Sequence, residues 1–374
     1  MADDSIESEL QIFFSKSTKA DWENIAMQET RGKNPFEKLS WHGKDGILFL
    51  PYYDANDTAR LPFLNTFNLP AEKKNSARSW ISLPPVKCST TEDSNELALE
   101  HLAQGAEGVL FDLRSVSIPD LNKLTNNIQW PSCYIDFYSD GNPDLLISLS
   151  DLIKNKFNPA TIHGTLFWES IPKRSNFDFY FSECKNFKTL GLIIPGASPA
   201  FEVCQALLEG VKAYEAFADS SPHQQDTIFR SIGFSLSAEA SFAETVSKFK
   251  ALRILWFQIA QAYGHEDYNY ADLYIHAMSL SASDGDFGPH ENMLKATYAA
   301  VASVLGGCDA LSIEGDHPPS LFPRWSRNVS SILREESFFS NIADPLAGAY
   351  ALDAITNSIA KSAWELFQEK VKTI

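Results

Sequence analysis

The stretch TLGLIIPGASPAFEVCQALLEGVKAYEAF, residues 189–217, contains the structural unit on which this chain is built. Residues 189–194 form a short apolar run that is typical of a buried β-strand, and residues 199–217 are predicted as a helix. A strand followed by a helix is the repeating unit of parallel α/β sheets. The fold therefore depends on how often this unit recurs along the chain.

The same alternation of apolar runs and helical patterns recurs from about residue 79 onward. The runs predicted as strands are the eight segments 79–83, 107–113, 133–138, 161–168, 189–194, 229–236, 272–279 and 309–315. The clearest helix covers residues 241–264, where the apolar side chains form a helical stripe that ends at Gly264. Another helix is predicted over residues 95–104.

Eight strand–helix units predict an α/β fold in which the parallel strands close into an eight-stranded, TIM-type β/α barrel. An open, doubly wound sheet is the alternative architecture. Such a sheet usually carries a glycine-rich phosphate loop after its first strand. No such loop follows Trp80 or Phe111, so the sequence favours the barrel.

The composition indicates a folded protein with an acidic surface. Of the 374 residues, 44% are apolar and 12% are aromatic, which is ample for a sizeable core. The formal net charge of -17 would repel phosphate backbones and anionic lipids. No run of about 18 apolar residues is present to span a bilayer. We therefore expect neither nucleic acid nor membranes as partners.

The N-terminus and the cysteines both indicate a cytoplasmic protein. Residues 1–10, MADDSIESEL, are acidic and lack the apolar centre of a secretory signal. The cysteines are scattered, odd in number and never spaced as C-x-x-C; they are Cys88, Cys133, Cys184, Cys204 and Cys308. This usage is typical of isolated thiols in a reducing compartment.

Residues 1–75 do not follow the strand–helix alternation. We predict an extended N-terminal arm over residues 1–75 and the barrel domain over residues 76–374. The arm contains many aromatic residues without strong periodicity, among them Trp22, Phe36, Trp41, Phe49 and Tyr52. Large apolar surfaces are seldom left in water. The arm is therefore expected to pack either on its own barrel or on a partner subunit.

Segments in the C-terminal half resemble the barrel domain of the methylmalonyl-CoA mutase family. RNVSSILREES (327–337) and ADPLAGAYALDAIT (343–356) look like the end of that domain. KFKALRILW (248–256) is similar to the family pattern K-F-x-A-x-R-x-L-W. PHENMLKATYAAVASVLGGCDAL (289–311) resembles the penultimate barrel helix and the strand after it. We expect residues 341–367 to form a buried turn and then a long helix that closes the barrel.

The resemblance extends more weakly to the arm. WHGKDGI (41–47) fits the family pattern W-x-G-x-D-G-I, and a P-x-Y motif follows at residues 51–53. Both look like the segment that leads into the family's barrel. The resemblance is strongest between about residues 240 and 370.

The family resemblance implies a barrel that binds acyl-CoA along its axis and a separate domain that binds adenosylcobalamin. Active chains of the family form a 5′-deoxyadenosyl radical, which interconverts methylmalonyl-CoA and succinyl-CoA. Many bacterial members pair a catalytic large chain with a similar small chain that has lost the site. The cobalt-ligating motif D-x-H-x-x-G does not occur in this sequence, which ends at Ile374 within the helix that closes the barrel.

The fifth strand lacks the polar groups that the family's catalytic chains carry there. The family motif G-Y-H-M-Q-E-A-G-A matches the stretch TLGLIIPGAS, residues 189–198. The Tyr-His pair then falls on Leu190 and Gly191, and the Gln-Glu pair falls on Ile193 and Ile194. None of these side chains can donate a hydrogen bond to a thioester or a carboxylate.

Two further family positions are changed in the same way. If Trp80 matches the tryptophan of the motif R-P-W-T-I-R, the family's catalytic tyrosine becomes Asn75. The arginine and the serine of R-x-S-F-F-F become Ser231 and Gly233.

One catalytic position is retained. The family's H-x-Q-T motif keeps its histidine as His276, whereas its glutamine becomes Met278. The adenosine-binding loop Q-S-L-H-T-N becomes residues 309–314, in which Asp309 and Glu314 replace an amide pair. Ionised carboxylates only accept hydrogen bonds. We expect His276 to be a hydrogen-bonded core histidine rather than a catalytic group.

The residues also allow a metal site at the end of the eighth strand. Glu314, Asp316 and His317 follow that strand, on the face where barrel enzymes place their active sites. One histidine and two carboxylates could bind a divalent cation. The alternative is a polar loop stiffened by Pro318 and Pro319.

Two functions remain open at this point. The first is a non-catalytic small subunit that binds no cofactor itself and forms a heterodimer with a catalytic large subunit, to which adenosylcobalamin binds. The second is a stand-alone acyl-CoA or metal-dependent enzyme on a diverged barrel. The barrel axis distinguishes them, because an acyl-CoA enzyme needs an open channel. We expect side chains from residues 133–138, 161–168 and 189–194 to fill the axis.

Overall fold

The computed structural model describes residues 17–61, 63–64, 79–172, 177–219, 222–279, 289–314 and 322–372. The strands are β1 Trp41–His42, β2 Leu48–Phe49, β3 Ile81–Ser82, β4 Pro85–Lys87, β5 Gly108–Asp112, β6 Tyr134–Ser139, β7 Gly164–Trp168, β8 Phe187–Ile193, β9 Ile232–Ala238, β10 Tyr274–Ser279 and β11 Ala310–Ile313. The helices are α1 Lys19–Glu29, α2 Pro35–Leu39, α3 Ala55–Thr58, α4 Thr91–Ala103, α5 Leu121–Leu124, α6 Asp144–Lys156, α7 Asp178–Glu183, α8 Pro199–Ala218, α9 Gln225–Arg230, α10 Phe242–Ala262, α11 Pro289–Gly306, α12 Phe322–Ser331 and α13 Tyr350–Val371.

The parallel strands form one sheet that closes into a barrel. Its order is β3-β11-β10-β9-β8-β7-β6-β5-β4. Strands β3 and β4 belong to one extended segment, in which β3 pairs with β11 and β4 pairs with β5. Between them, the Leu83 amide donates to the Leu311 carbonyl and the Leu110 amide donates to the Pro84 carbonyl. The predicted TIM-type barrel is confirmed, with its first strand divided in two.

The predicted strand 229–236 begins in a helix. The run 229–236 was expected to be a strand throughout, but its first residues lie in α9, which ends at Arg230, and β9 runs on to Ala238. The amide of Ser231 still donates to the Thr227 carbonyl. Ile228 and Phe229 are fully buried on this helix, and a short apolar run cannot by itself distinguish a buried helix from a buried strand.

The pattern in residues 248–256 is explained by contacts that join α10 to the barrel. The Arg253 guanidinium donates to the carbonyls of Tyr270, Leu273 and Gly307 and to the Asp309 carboxylate. The Lys248 ammonium lies 2.6 Å from the buried Glu202 carboxylate of α8 and also donates to the Ser237 carbonyl. A buried ion pair of this kind requires such extra hydrogen bonds.

The C-terminal segment agrees with its prediction only in part. Helix α13 forms as expected and buries Ile355, Ile359 and Ala363 against the barrel helices. The turn before it was predicted to be buried, and this is wrong, because most of residues 341–350 are exposed. Apolar composition indicated burial there, but only Leu346 and Ala349 of this turn pack against a small cluster beneath it.

The arm contains more regular structure than the sequence indicated. Trp22 of α1 stacks on Tyr52, with 5.1 Å between ring centroids, and meets the Phe36 ring edge-on at 5.5 Å. Trp41 stacks on Phe49 at 3.9 Å. Phe49 is buried in the main core, whereas Trp41 is 49% exposed. The described part of the arm thus packs on its own barrel and leaves one large aromatic side chain half uncovered.

The hairpin between β1 and β2 anchors the arm at the carboxyl ends of the barrel strands. The Lys44 amide donates to Glu244 Oε1 of α10, and Asp45 Oδ2 accepts from the Ala200 amide in the first turn of α8. A β-carbon at Gly43 would lie only 2.4 Å from Glu244 Oε1, and Gly46 has a φ of +71°. These contacts explain the glycines and the aspartate of the W-x-G-x-D-G-I pattern.

None of the described helices is long and apolar enough to cross a membrane.

Replacing Asp45 with alanine is expected to lower the free energy of unfolding by about 1 kcal/mol, because α8 would lose an acceptor for one of its free amides. Urea unfolding at neutral pH measures this difference. Asp144→Ala is the matched control, since Asp144 is an exposed residue in the first turn of α6. Equal losses in the two variants would contradict a capping role for Asp45.

Candidate functional site

The barrel axis is occupied by large side chains. Leu83, Leu110, Tyr138, Phe167 and Ala310 form a buried cluster inside the sheet. Partly buried side chains pack against it, namely those of Ile81, Tyr134, Ile193, Tyr274 and Met278. The strands that we expected to fill the axis do so, through Tyr138, Phe167 and Ile193. Among the described residues, the interior is therefore a packed core, as in ordinary barrels.

A chain of hydrogen bonds crosses the axis at the level of His276. The Tyr138 hydroxyl bonds to Ser235 Oγ, which lies 2.8 Å from His276 Nδ1. On the other side of the ring, His276 Nε2 lies 2.8 Å from Ser312 Oγ, and that hydroxyl donates to the Leu83 carbonyl. The retained histidine is thus held by side chains from three other strands, β6, β9 and β11.

His276 has the environment of a core residue. It is fully buried, and burial lowers the pKa of its imidazole to about 3. The ring of Phe167 packs against it, with 5.4 Å between ring centroids. A neutral imidazole whose two nitrogens are both hydrogen-bonded has no free donor or acceptor for a substrate.

Gly191, at the position of the family's histidine, provides the space for Phe167. A β-carbon on Gly191 would lie 2.6 Å from Phe167 Cδ1 and 2.8 Å from both the Leu166 carbonyl oxygen and Thr165 Cγ2. No side chain fits there unless β7 moves. The neighbouring Leu190 is fully buried in the main core between the sheet and the helices.

Gly233 and Tyr274 form a second pair of this kind. A β-carbon on Gly233 would lie 3.3 Å from Tyr274 Cδ1, which leaves little room for a longer side chain. The Tyr274 ring stacks on Phe167, with 6.3 Å between centroids. Ser231 directly precedes β9, and its hydroxyl donates to the Ile228 carbonyl near the end of α9. The structure therefore packs an aromatic ring against each of these two glycines.

The other replaced family positions also make apolar contacts. Ile194 is buried in the main core between the sheet and the helices. Ile193 and Met278 pack against the buried cluster inside the sheet. Asn75 lies outside the described residues.

The segment that matches the family's adenosine loop is not a loop in this chain. Residues 310–313 form strand β11, so the two carboxylates lie at its opposite ends. Asp309 accepts from Arg253 and from the Ile275 amide, and Glu314 forms an ion pair with Lys87. Both carboxylates thus have partners within the chain.

Asp136 is a buried carboxyl group that sequence reasoning missed. It is fully buried, and burial raises its pKa to about 8. Its Oδ1 accepts from the Thr165 amide at 2.7 Å, and its Oδ2 accepts from the Tyr274 hydroxyl at 3.3 Å. The alternation of residues 134, 136 and 138 along β6 would have indicated that Asp136 shares the inward face with Tyr134 and Tyr138.

The carboxyl ends of the strands, where barrel enzymes place their active sites, carry paired charges. Arg114 is hydrogen-bonded to Asp112 through two nitrogens, reaches Glu169 at 3.3 Å and lies over the Tyr138 ring. A narrow cleft beside the hairpin is lined by Lys44, Glu239, Glu244 and Lys248, among others. Lys44 pairs with Glu239, and Lys248 pairs with Glu202.

Only one of the three residues of the alternative metal site, Glu314, lies within the described residues. Asp316 and His317 lie outside the described residues, and Glu314 is paired with Lys87. Within the part of the chain that the structure describes, no three His, Cys, Asp or Glu side chains are grouped to hold a metal ion.

Introducing the family's histidine by Gly191→His is expected to destabilise the barrel by at least about 1–3 kcal/mol, because the new side chain overlaps the Phe167 ring. Phe167→Ala alone should cost about 3–5 kcal/mol. The double variant should lose less than the sum of the two, since one change makes room for the other. Strict additivity in chemical unfolding would contradict the packing described here.

The pH dependence of stability should reveal the buried imidazole. The folded chain keeps His276 neutral down to about pH 3, whereas the unfolded chain binds a proton below about pH 6.5. His276 should therefore lower the free energy of unfolding as the pH drops below about 6.5, by at most about 1.4 kcal/mol per pH unit, whereas the raised pKa of Asp136 acts in the opposite direction. Urea titrations between pH 7 and pH 4 should show that the wild type loses stability relative to His276→Gln as the pH falls. Identical slopes for the two proteins would refute this assignment.

Comparison with known proteins supports the resemblance seen in the sequence. A family model described as methylmalonyl-CoA mutase matches residues 192–373. The methylmalonyl-CoA mutase small subunit of Porphyromonas gingivalis is 26% identical over 370 residues, which cover 89% of this chain and 59% of that protein. The small subunit of Streptomyces virginiae is 31% identical over 179 residues, which cover 46% of this chain and 29% of that protein.

A third relative is the methylmalonyl-CoA mutase of Rhizobium meliloti, 23% identical over 416 residues, with 95% of this chain and 58% of that protein covered. The chain thus spans at most about three fifths of the length of these relatives. The family model covers strands β9 to β11 and helices α8 to α13 of the barrel, and over these residues the chain matches the methylmalonyl-CoA mutase family.

Proposed function

We propose that this chain is the non-catalytic small subunit of an adenosylcobalamin-dependent methylmalonyl-CoA mutase. In this proposal, a large partner subunit interconverts methylmalonyl-CoA and succinyl-CoA, and the present chain stabilises the complex. The observation that supports the proposal most strongly is the position of Phe167. Its ring occupies the space into which a side chain at residue 191 would project, and the family resemblance implies a substrate-binding histidine at that position.

The rest of the axis supports the same proposal. An acyl-CoA substrate would have to pass the hydrogen-bonded layer formed by Tyr138, Ser235 and His276. Opening a channel there would break these bonds and leave buried polar groups without partners. A packed axis contributes to the stability of the barrel, which is what a supporting subunit requires.

The proposal also concerns the cofactor. We propose that adenosylcobalamin binds to the large subunit and that this chain binds none. The support comes from the barrel axis, where described side chains such as Tyr138, Phe167 and His276 fill the interior and leave the cofactor no open space. The radical chemistry that the cofactor supplies would then take place entirely in the partner.

The names of two relatives, both small subunits of methylmalonyl-CoA mutases, support a partner subunit for this chain as well. The arm offers one contact for it. Trp41 is half exposed on a hairpin that Asp45 and Lys44 hold against the barrel. A rigidly held aromatic side chain loses little conformational entropy on binding, so it is suited to an interface.

We expect the purified chain to show no mutase activity and no spectroscopic change when adenosylcobalamin is added. Co-expression with the mutase large chain of the same organism should yield a stable, active heterodimer. Trp41→Ala should weaken that heterodimer, whereas Tyr263→Ala, a change to another partly exposed aromatic residue, should not. Mutase turnover by the chain alone would refute the proposed function.

Tight binding of adenosylcobalamin by the chain alone would refute the assignment of the cofactor to the partner. Failure of the two chains to associate would refute the subunit role.

A further inference from the structure

Five large apolar side chains near the C-terminus are left uncovered. Phe338 is 60% exposed, and Ile342 and Tyr350 on the following turn are also exposed. On α11, Leu294 is 65% exposed, and Tyr298, one helical turn further along, is exposed as well. We call these five residues the C-terminal apolar face.

The α11 residues of this face and the residues before and at the start of α13 are joined through one small buried cluster. A small cluster of buried residues, separate from the main core, consists of Val246, Ala302, Leu305 and Leu352. Phe339, Leu346 and Ala349 of the turn segment pack against this cluster, as does Phe242 of α10. The Tyr298 ring in turn lies 5.8 Å from the Phe242 ring. The exposed side chains are therefore attached to a packed base.

Phe338 has a strained backbone conformation. Its backbone lies in the left-handed region, with a φ of 55° and a ψ of 29°, which is costly for a bulky residue. A side chain that is mostly exposed recovers little of this cost through packing. The residues just before it, Ile332–Glu336, form a π-helix, a rare element that is frequent at functional sites. A strained and exposed aromatic residue is suited to act as an anchor in an interface.

The charges beside the face indicate what kind of surface would cover it. Glu335 and Glu336, three and two residues before Phe338, are both exposed. Two cations close to this segment are paired, Arg334 with Glu107 at 2.8 Å and Lys250 with Asp344 at 2.9 Å. The rim beside Phe338 is therefore negative, within a chain whose net charge is -17. A second copy of this chain would bring two acidic rims together in a symmetric contact, which is unfavourable.

We infer that the C-terminal apolar face docks the large subunit, through an apolar pocket that is rimmed by Lys and Arg side chains. The identity of the partner rests on the proposed function, whereas the location and chemistry of the contact rest on the residues of this face. Apolar anchors surrounded by a charged rim are the usual anatomy of a protein–protein interface.

The variant Phe338→Gly separates binding from folding. Glycine adopts the left-handed conformation without strain, so the isolated variant should melt no lower than the wild type. Its dissociation constant for the purified large chain should nevertheless rise at least tenfold, because the anchor is gone. Ile342→Ser should weaken binding in the same direction. Ile147→Ser is the matched control, since Ile147 is 56% exposed on α6, away from this face, and it should leave affinity unchanged.

The rim is tested by charge reversal. The double variant Glu335→Lys and Glu336→Lys should slow association with the large chain and weaken its dependence on salt concentration. If the wild-type chain binds the large chain and the Phe338 and Ile342 variants bind equally well, this inference fails and the proposed function survives. If the wild-type chain does not bind it at all, both fail. A wild-type homodimer that Phe338→Gly dissociates would assign the face to a second copy and would also overturn the inference.

Discussion

The contact between Phe167 and Gly191 determines the interior of this barrel. The absence of a side chain on β8 lets an aromatic ring from β7 lie in the barrel interior, close to the His276 imidazole. Protein interiors are close-packed, so this volume cannot hold both the ring and a polar side chain at residue 191. The Tyr274 ring stacks on Phe167 and packs on Gly233 in the same way. Two glycines and two aromatic rings thus convert a potential channel into a core.

The contacts that maintain the barrel are independent of this change in its interior. Arg253 joins three carbonyl groups and the Asp309 carboxylate, and Lys248 forms its buried ion pair with Glu202. These groups lie between the helices and the sheet or at the strand ends, not on the axis. A buried charge that loses its partner destabilises the fold, whether or not the chain is catalytic. The scaffold signature can therefore persist in a chain whose axis is closed, which agrees with the proposed supporting role.

The two surfaces suggested for partner contact are held in place by different means. The hairpin around Asp45 is attached by polar contacts to the ends of α8 and α10. The C-terminal apolar face rests on a hydrophobic cluster beneath Leu346 and Ala349. Both present rigid apolar side chains to solvent, and pre-organisation of this kind lowers the entropic cost of association. Together they would let a heterodimer form through two separate patches of the small chain.

The sequence by itself determined the barrel, because strand and helix periods are local properties that each segment carries independently. It also indicated that Leu190, Gly191 and Gly233 offer no polar side chains, since residue type alone limits hydrogen bonding. What fills the space at these positions was decided only by tertiary structure. Whether Phe167 points toward the axis depends on the register of β7 against β8, which shifts at a bulge between residues 165 and 167. The exposure of residues 341–350 was likewise beyond the sequence, because apolar composition cannot show whether another part of the same chain covers a turn.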